Sequence, residues 1–202
     1  MIIITGTGRS GTSYIAKFMH KLGLNVLGSN VWLDDKKAGY EHDVIIPVFQ
    51  AMGNGNKPNA LKHLKNIPNC DVLKTPQFVN RDNPEVIKFF FDNIEGLKLV
   101  VMRRDFEAVA DSFIRYQIIP GVGSKHGRIF KANERVELVN IVANRYKVFI
   151  DYLDKENLPY TIVEYGKMIR DEEYGVNIMS EILTGVNKDK ITKQYKETTI
   201  KK

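Results

Sequence analysis

The sequence predicts a three-layer α/β domain, an open parallel sheet with helices on both faces. Three observations carry that expectation. Short, wholly apolar runs recur along the chain, as strands buried on both faces require. Stretches with helical spacing alternate with them. The first junction between the two is glycine-rich, as at the start of a strand–turn–helix unit.

Taken in order, Ile2–Thr5 is the first strand. Tyr14, Ile15, Phe18, Met19 and Leu22 then recur at helical spacing, and Gly23 supplies a stop. Asp43–Met52, Pro84–Asn93 and Phe106–Tyr116 read as helices, while Asp71–Leu73, Leu97–Met102 and Tyr160–Val163 read as further parallel strands. Ala132–Asp154 is expected to be the longest helix, with Val136, Val139, Val142, Tyr146, Phe149, Ile150 and Leu153 on one broad face. Two long loops, Gly28–Gly39 and Ile119–Lys131, are placed to shape a ligand site. From Asn187 to Lys202 the chain is polar and lysine-rich and reads as a tail. No repeat or linker divides residues 1–202, so a single domain is expected.

Composition narrows the function classes. At 202 residues, 43% hydrophobic and 27% charged, the chain can bury a core, which excludes a disordered, collagen-like or disulfide-scaffold protein. Its apolar runs are too short to cross a bilayer, and it opens on a strand without a signal-peptide pattern. The lone Cys70 suits a reducing compartment, so a cytoplasmic protein with no membrane partner is expected, and Cys70 reads as a small buried residue. The net charge of +6 points to an anionic partner. Because 30 basic residues stand against 24 acidic ones, the excess is mild and favours a local anion site over a nucleic-acid-coating surface.

That site is placed at Gly6-Thr7-Gly8-Arg9-Ser10-Gly11-Thr12-Ser13, between the first strand and the first helix. Glycines let the backbone turn tightly and aim successive amides at one anion. The helix terminus adds unpaired donors and partial positive charge. Arg9, Ser10, Thr12 and Ser13 bring a cation and hydroxyls to the same place. The Gly6–Gly11 spacing is that of a P-loop, but Thr12 stands where nucleotide hydrolases carry lysine. The strand Leu97–Met102 leads into Arg103-Arg104, not into a metal-holding acid. Such a site neutralises phosphates without a metal, and no His, Cys, Asp or Glu cluster has metal-ligand spacing.

These residues resemble the sulfotransferases that use 3′-phosphoadenosine 5′-phosphosulfate (PAPS). Arg9-Ser10-Gly11-Thr12-Ser13 is similar to the family's 5′-phosphosulfate loop, in the arginine version of the carbohydrate and tyrosylprotein enzymes. Arg104-Asp105 and Ser112 match the second motif, a strand ending in Arg-Asp with a serine eight residues after the arginine on the next helix. The resemblance implies that Arg104 and Ser112 grip the 3′-phosphate; Arg103 is the other candidate. Lys74-Thr75-Pro76 is similar to a Lys-Asp-Pro triplet, and Gly39-Tyr40-Glu41-His42 looks like the segment that carries a catalytic carboxylate. Glu164-Tyr165 is like the late Tyr-Glu pair in altered order. The sequence departs from the family at Phe106, in lacking the C-terminal Arg-Lys-Gly motif, and in its short length.

The resemblance implies a P-loop-type transferase moving a sulfuryl group from PAPS to a hydroxyl or amine acceptor and releasing 3′,5′-adenosine bisphosphate. Arg9 and the loop amides, with Gly8, Ser10, Gly11, Thr12 and Ser13 as donor-binding residues, would hold the leaving 5′-phosphate, and Lys74 would stabilise the bridging oxygen. Glu41 is the expected base, with His42 its rival because imidazole titrates near neutrality. Trp32 and Tyr40 read first as hydrophobes anchoring their loop and second as a stack for a sugar or aromatic acceptor, while Lys125 and Arg128 read as a solvated loop or as one that covers the donor or recruits an acidic acceptor. A P-loop kinase of nucleotides or small metabolites is the alternative reading, and a nucleic-acid-binding module a third that no aromatic-basic interleaving supports.

Overall fold

The computed structural model describes residues 1–27, 43–80, 83–116 and 129–199. Four strands, β1 (Ile2–Gly6), β2 (Val72–Lys74), β3 (Lys98–Arg103) and β4 (Thr161–Glu164), form a parallel sheet in the order β2-β1-β3-β4. The predicted strands are therefore present, shifted by about a residue at their ends. The α/β class with helices on both faces holds as well.

Alternation along β1 explains why its run is wholly apolar. Ile2 and Ile4 face one core, where Ile15, Phe18 and Met19 of α1 (Thr12–Lys21) pack with Val100 and Met102. Ile3 faces the other, beside Leu73, Leu99 and Val101. That second core lies under α2 (Ile46–Gly53), α3 (Lys57–Lys65), the short α4 (Gln77–Asn80) and α5 (Glu85–Asn93). Phe78 and Phe90 meet there edge to face at 5.2 Å between ring centroids. Each residue of β1 is thus buried whichever way it points, which a period-two polar pattern would forbid.

Helix α6 (Phe106–Tyr116) matches its predicted span, and α7 (Arg135–Lys155) follows a short 3₁₀ turn at Ala132–Glu134. One expectation for α7 is corrected. Val136 is 71% exposed, and the buried stripe instead runs through Leu138, Val142, Tyr146, Phe149 and Leu153. Two residues advance a helix by about 200°, so Val136 and Leu138 cannot share a face. Leu138 and Val142 meet Phe113 of α6, while Tyr146, Phe149 and Leu153 reach the sheet.

The segment read as a polar tail is helical from Lys188 to Thr199. After α8 (Tyr165–Met168), this last helix, α10, packs on α9 (Glu172–Ile182) and α1. Ile191 and Tyr195 are buried, and Tyr195 Oη donates to the Met168 carbonyl at 2.7 Å. Its lysines lie on the solvent side of an amphipathic helix, so composition alone concealed it. Among the described residues, no helix is long and apolar enough to cross a membrane.

The topology dictates where a ligand can enter. From β1 the chain leads to β2 on one side, whereas from β3 it leads to β4 on the other. The connections after β1 and β3 therefore diverge and open a crevice at the carboxyl ends of these paired neighbours.

Candidate functional site

The loop after β1 is strained where it turns. Arg9 has φ 68°, a left-handed conformation uncommon for a residue with a Cβ and costing about 1–3 kcal/mol. Gly11 has φ 97°, and a Cβ there would lie 2.2 Å from the Tyr165 ring. Glycine is required at that position on both counts. Gly11 is also the N-cap of α1, with no side-chain cap bond and no acid in the first turn. The first amides of α1 are thus left without a capping side chain, the arrangement that receives an anion.

Most of the predicted site residues converge on this terminus. Gly8, Arg9, Gly11, Thr12 and Ser13 line a cavity of about 180 Å³, closed on its other sides by Lys74, Arg104, Tyr14 and Tyr165. Lys74 ends β2, is 2% exposed, and donates from Nζ to Ser13 Oγ at 3.1 Å. Arg104 follows β3 and donates from Nη1 to the Arg9 carbonyl at 3.0 Å, with its guanidinium 5.2 Å from the Tyr165 ring centroid. Ser112, on α6, accepts from Arg9 Nε at 2.8 Å. One helical turn on, Tyr116 lies under the same guanidinium at 4.6 Å.

Ser10 behaves differently. Its side chain is fully buried, and its hydroxyl finds no hydrogen-bond partner among the described residues. The oxygen lies 2.6 Å from where a Cβ on Gly6 would sit, and the Ser10 amide is bonded to the Thr7 carbonyl at 3.1 Å. Ser10 packs beneath the loop and does not line the cavity. Glu41 and His42, together with Trp32, Tyr40, Lys125 and Arg128, lie outside the described residues.

Two aromatic residues of the cavity escaped assignment from sequence. Tyr14 and Tyr165 meet edge to face at 5.9 Å, and Tyr14 Oη is 2.9 Å from Thr199 Oγ1 on α10. Burial pushes the Tyr14 hydroxyl above its ordinary pKa. Tyr14 reads as one more apolar position of α1, and only the third dimension shows its contact with Tyr165. Arg103, which ends β3 in register with Glu164, is exposed beside a second cavity of about 550 Å³ that shares Arg104.

No family model matches the chain, and no curated protein matches it in sequence. Solved structures do. The sulfotransferase domain from the curacin biosynthetic pathway superposes with a TM-score of 0.56 at 15% identity, over 96% of this chain and 77% of that one. The sulfotransferase domain of the Synechococcus PCC 7002 olefin synthase gives 0.50 at 14% identity, over 90% and 70%. Retinol dehydratase, solved with androsterone and the inactive cofactor PAP, gives 0.53 at 12% identity, over 98% of this chain and 63% of that one. The class this defines is the sulfotransferase-type α/β fold. The chain shares that fold with these proteins across nearly its whole length.

Proposed function

We propose that this protein is a PAPS-dependent sulfotransferase acting on a hydroxyl or amine acceptor. One observation carries the reading: Arg9 and Arg104, from loops on the two diverging strands, meet in one cavity at an uncapped helix N-terminus. The fold shared with sulfotransferases of known structure supports it.

The residues present fit such a donor. Two guanidiniums and a nearly buried ammonium surround the cavity, and buried cations are well accommodated by a bound polyanion. The donor would supply the sulfuryl group and leave as 3′,5′-adenosine bisphosphate. Arg9 and the amides of the first turn of α1 hold the departing 5′-phosphate. Lys74 lines the same cavity, bonded to Ser13 Oγ, where its ammonium offsets charge growing on the bridging oxygen. Arg104 and Ser112 bind the 3′-phosphate, and Glu41 takes the acceptor proton, with His42 the competing base. These groups act by positioning and by fixed positive charge, which is most of what in-line transfer asks of a protein. A single domain in the cytoplasm, with a free and buried Cys70, completes the reading.

Calorimetry with 3′,5′-adenosine bisphosphate, set against ATP with Mg²⁺, tests it without the acceptor. Clear preference for the bisphosphate is the expected result. Preference for ATP·Mg²⁺ would move the protein to the kinases.

A further inference from the structure

One helix restrains the Arg9 side chain in two ways. Ser112 and Tyr116 are four residues apart on α6, so they stand one above the other on the same face. Ser112 Oγ accepts from Arg9 Nε at 2.8 Å, and the Tyr116 ring centroid lies 4.6 Å from the guanidinium carbon. The hydrogen bond fixes one edge of the guanidinium and the ring fixes its plane. Both Nη groups are left for an anion in the loop cavity, which Arg9 lines.

Tyr116 has no other evident task. It is 53% exposed, and α6 is seated without it, through Val109, Ala110 and Phe113 packed on Phe130, Leu138 and Val142. The ring is not part of the cavity wall either. What it does touch is the Arg9 guanidinium.

We propose that Tyr116 is a positioning residue that makes position 9 specific for arginine. The proposal rests on the sulfuryl-transfer reading above and adds a side chain that acts through Arg9 without meeting the donor. A flat guanidinium can lie on the ring face and still present its forked N–H edge to phosphate oxygens. A lysine in its place would have no Nε for Ser112 and no plane to align, only a point charge on a flexible stem. Arg9 leaves the backbone at φ 68°, in the turn of the loop, and a long side chain free in that turn would lose its rotamers on binding. Ring and serine remove that freedom beforehand.

The test is titration calorimetry with 3′,5′-adenosine bisphosphate on wild type, Tyr116→Phe, Tyr116→Leu, Arg9→Lys and the double variant Arg9→Lys/Tyr116→Leu. Tyr116→Phe keeps the ring and should bind as tightly as wild type. Tyr116→Leu keeps only bulk and should bind about two- to fivefold more weakly, the range for a cation over an exposed ring. Arg9→Lys should lose about tenfold or more, and adding Tyr116→Leu to it should cost nothing further. Melting curves should coincide for the Tyr116 variants, because Tyr116 is the last residue of α6 and half exposed. Equal affinity in the Phe and Leu variants overturns the proposal, as does a double variant whose loss is the product of the two single losses. A wild type that prefers ATP with Mg²⁺ to the bisphosphate overturns the sulfuryl-transfer reading instead, before any variant is compared, so the two failures are distinguishable.

Discussion

Arg9 Nε donates to Ser112 Oγ at 2.8 Å, across 103 positions of the chain. The loop after β1 and the helix after β3 are thereby joined through the two residues expected to hold opposite ends of the donor. Tyr116, on the same face of α6, supports the guanidinium from beneath, and Arg104 holds the Arg9 carbonyl. Arg9 is thus fixed at its side chain and at its backbone, which lowers the ordering cost when a ligand binds.

Ser112→Ala should therefore weaken 3′,5′-adenosine bisphosphate by about tenfold, because a hydrogen bond to a charged group is worth about 1.5–3 kcal/mol. Arg104→Ala should cost at least as much. Titration calorimetry reads both, and wild-type affinity in either variant would detach that residue from the donor site.

Gly11→Ala adds a Cβ 2.2 Å from the Tyr165 ring at a backbone angle that disfavours any side chain. The loop must shift, so donor binding should fall below detection while the fold persists. Combining it with Tyr165→Ala removes the collision but not the strained φ, and only partial recovery is expected. Full recovery in the double variant would show that contact with Tyr165, and not backbone conformation, is what the glycine serves.

The sequence made the sheet legible because a doubly buried strand leaves a plain mark. Ile2–Ile4 and Leu99–Val101 have no polar residue to confuse the pattern. The loop and Arg104…Ser112 were legible for a different reason, since their chemistry depends on spacing along the chain. Helix α10 was missed because its buried face is narrow, Ile191 with Tyr195, and its lysines dominate local composition. Tyr165 was marked only by its likeness to a late Tyr-Glu pair. Its place beside the loop follows from strand order, with β4 beside β3, and strand order is not a local property. Ser10 shows the converse: its position in the motif suggested a ligand contact, and the turn buries its hydroxyl instead.

Glu41→Gln keeps the size of the side chain but removes the base. Turnover should fall by about 10²–10⁴-fold, the usual contribution of a positioned general base, with bisphosphate affinity unchanged. If turnover survives and His42→Asn abolishes it, the base is the imidazole.

Burial, with a smaller contribution from Asp71, pushes the Cys70 thiol above its ordinary pKa. The folded protein then keeps this proton at a pH where the unfolded chain loses it. The stabilisation is complete below about pH 8.5, the unfolded value, and declines as pH rises from there toward the higher folded pKa. Alkylation at pH 7.5 should accordingly be slow in the native protein and rapid in denaturant, as mass spectrometry can follow. Rapid native labelling would place Cys70 at the surface.

Gly175 of α9 lets α10 dock. A Cβ there would lie 2.2 Å from the Tyr195 ring, whose hydroxyl is bonded to Met168. Gly175→Ala should cost about 1–3 kcal/mol by overpacking, a drop of roughly 2–12 °C in melting temperature for a chain of this size. Because Tyr14 touches Thr199 at the far end of α10, loosening that helix should also weaken bisphosphate binding. In a Tyr195→Ala background the same glycine substitution should cost almost nothing further, since the two positions are in contact and their effects do not add. Additive losses would mean that α10 is not seated on α9 through this pair.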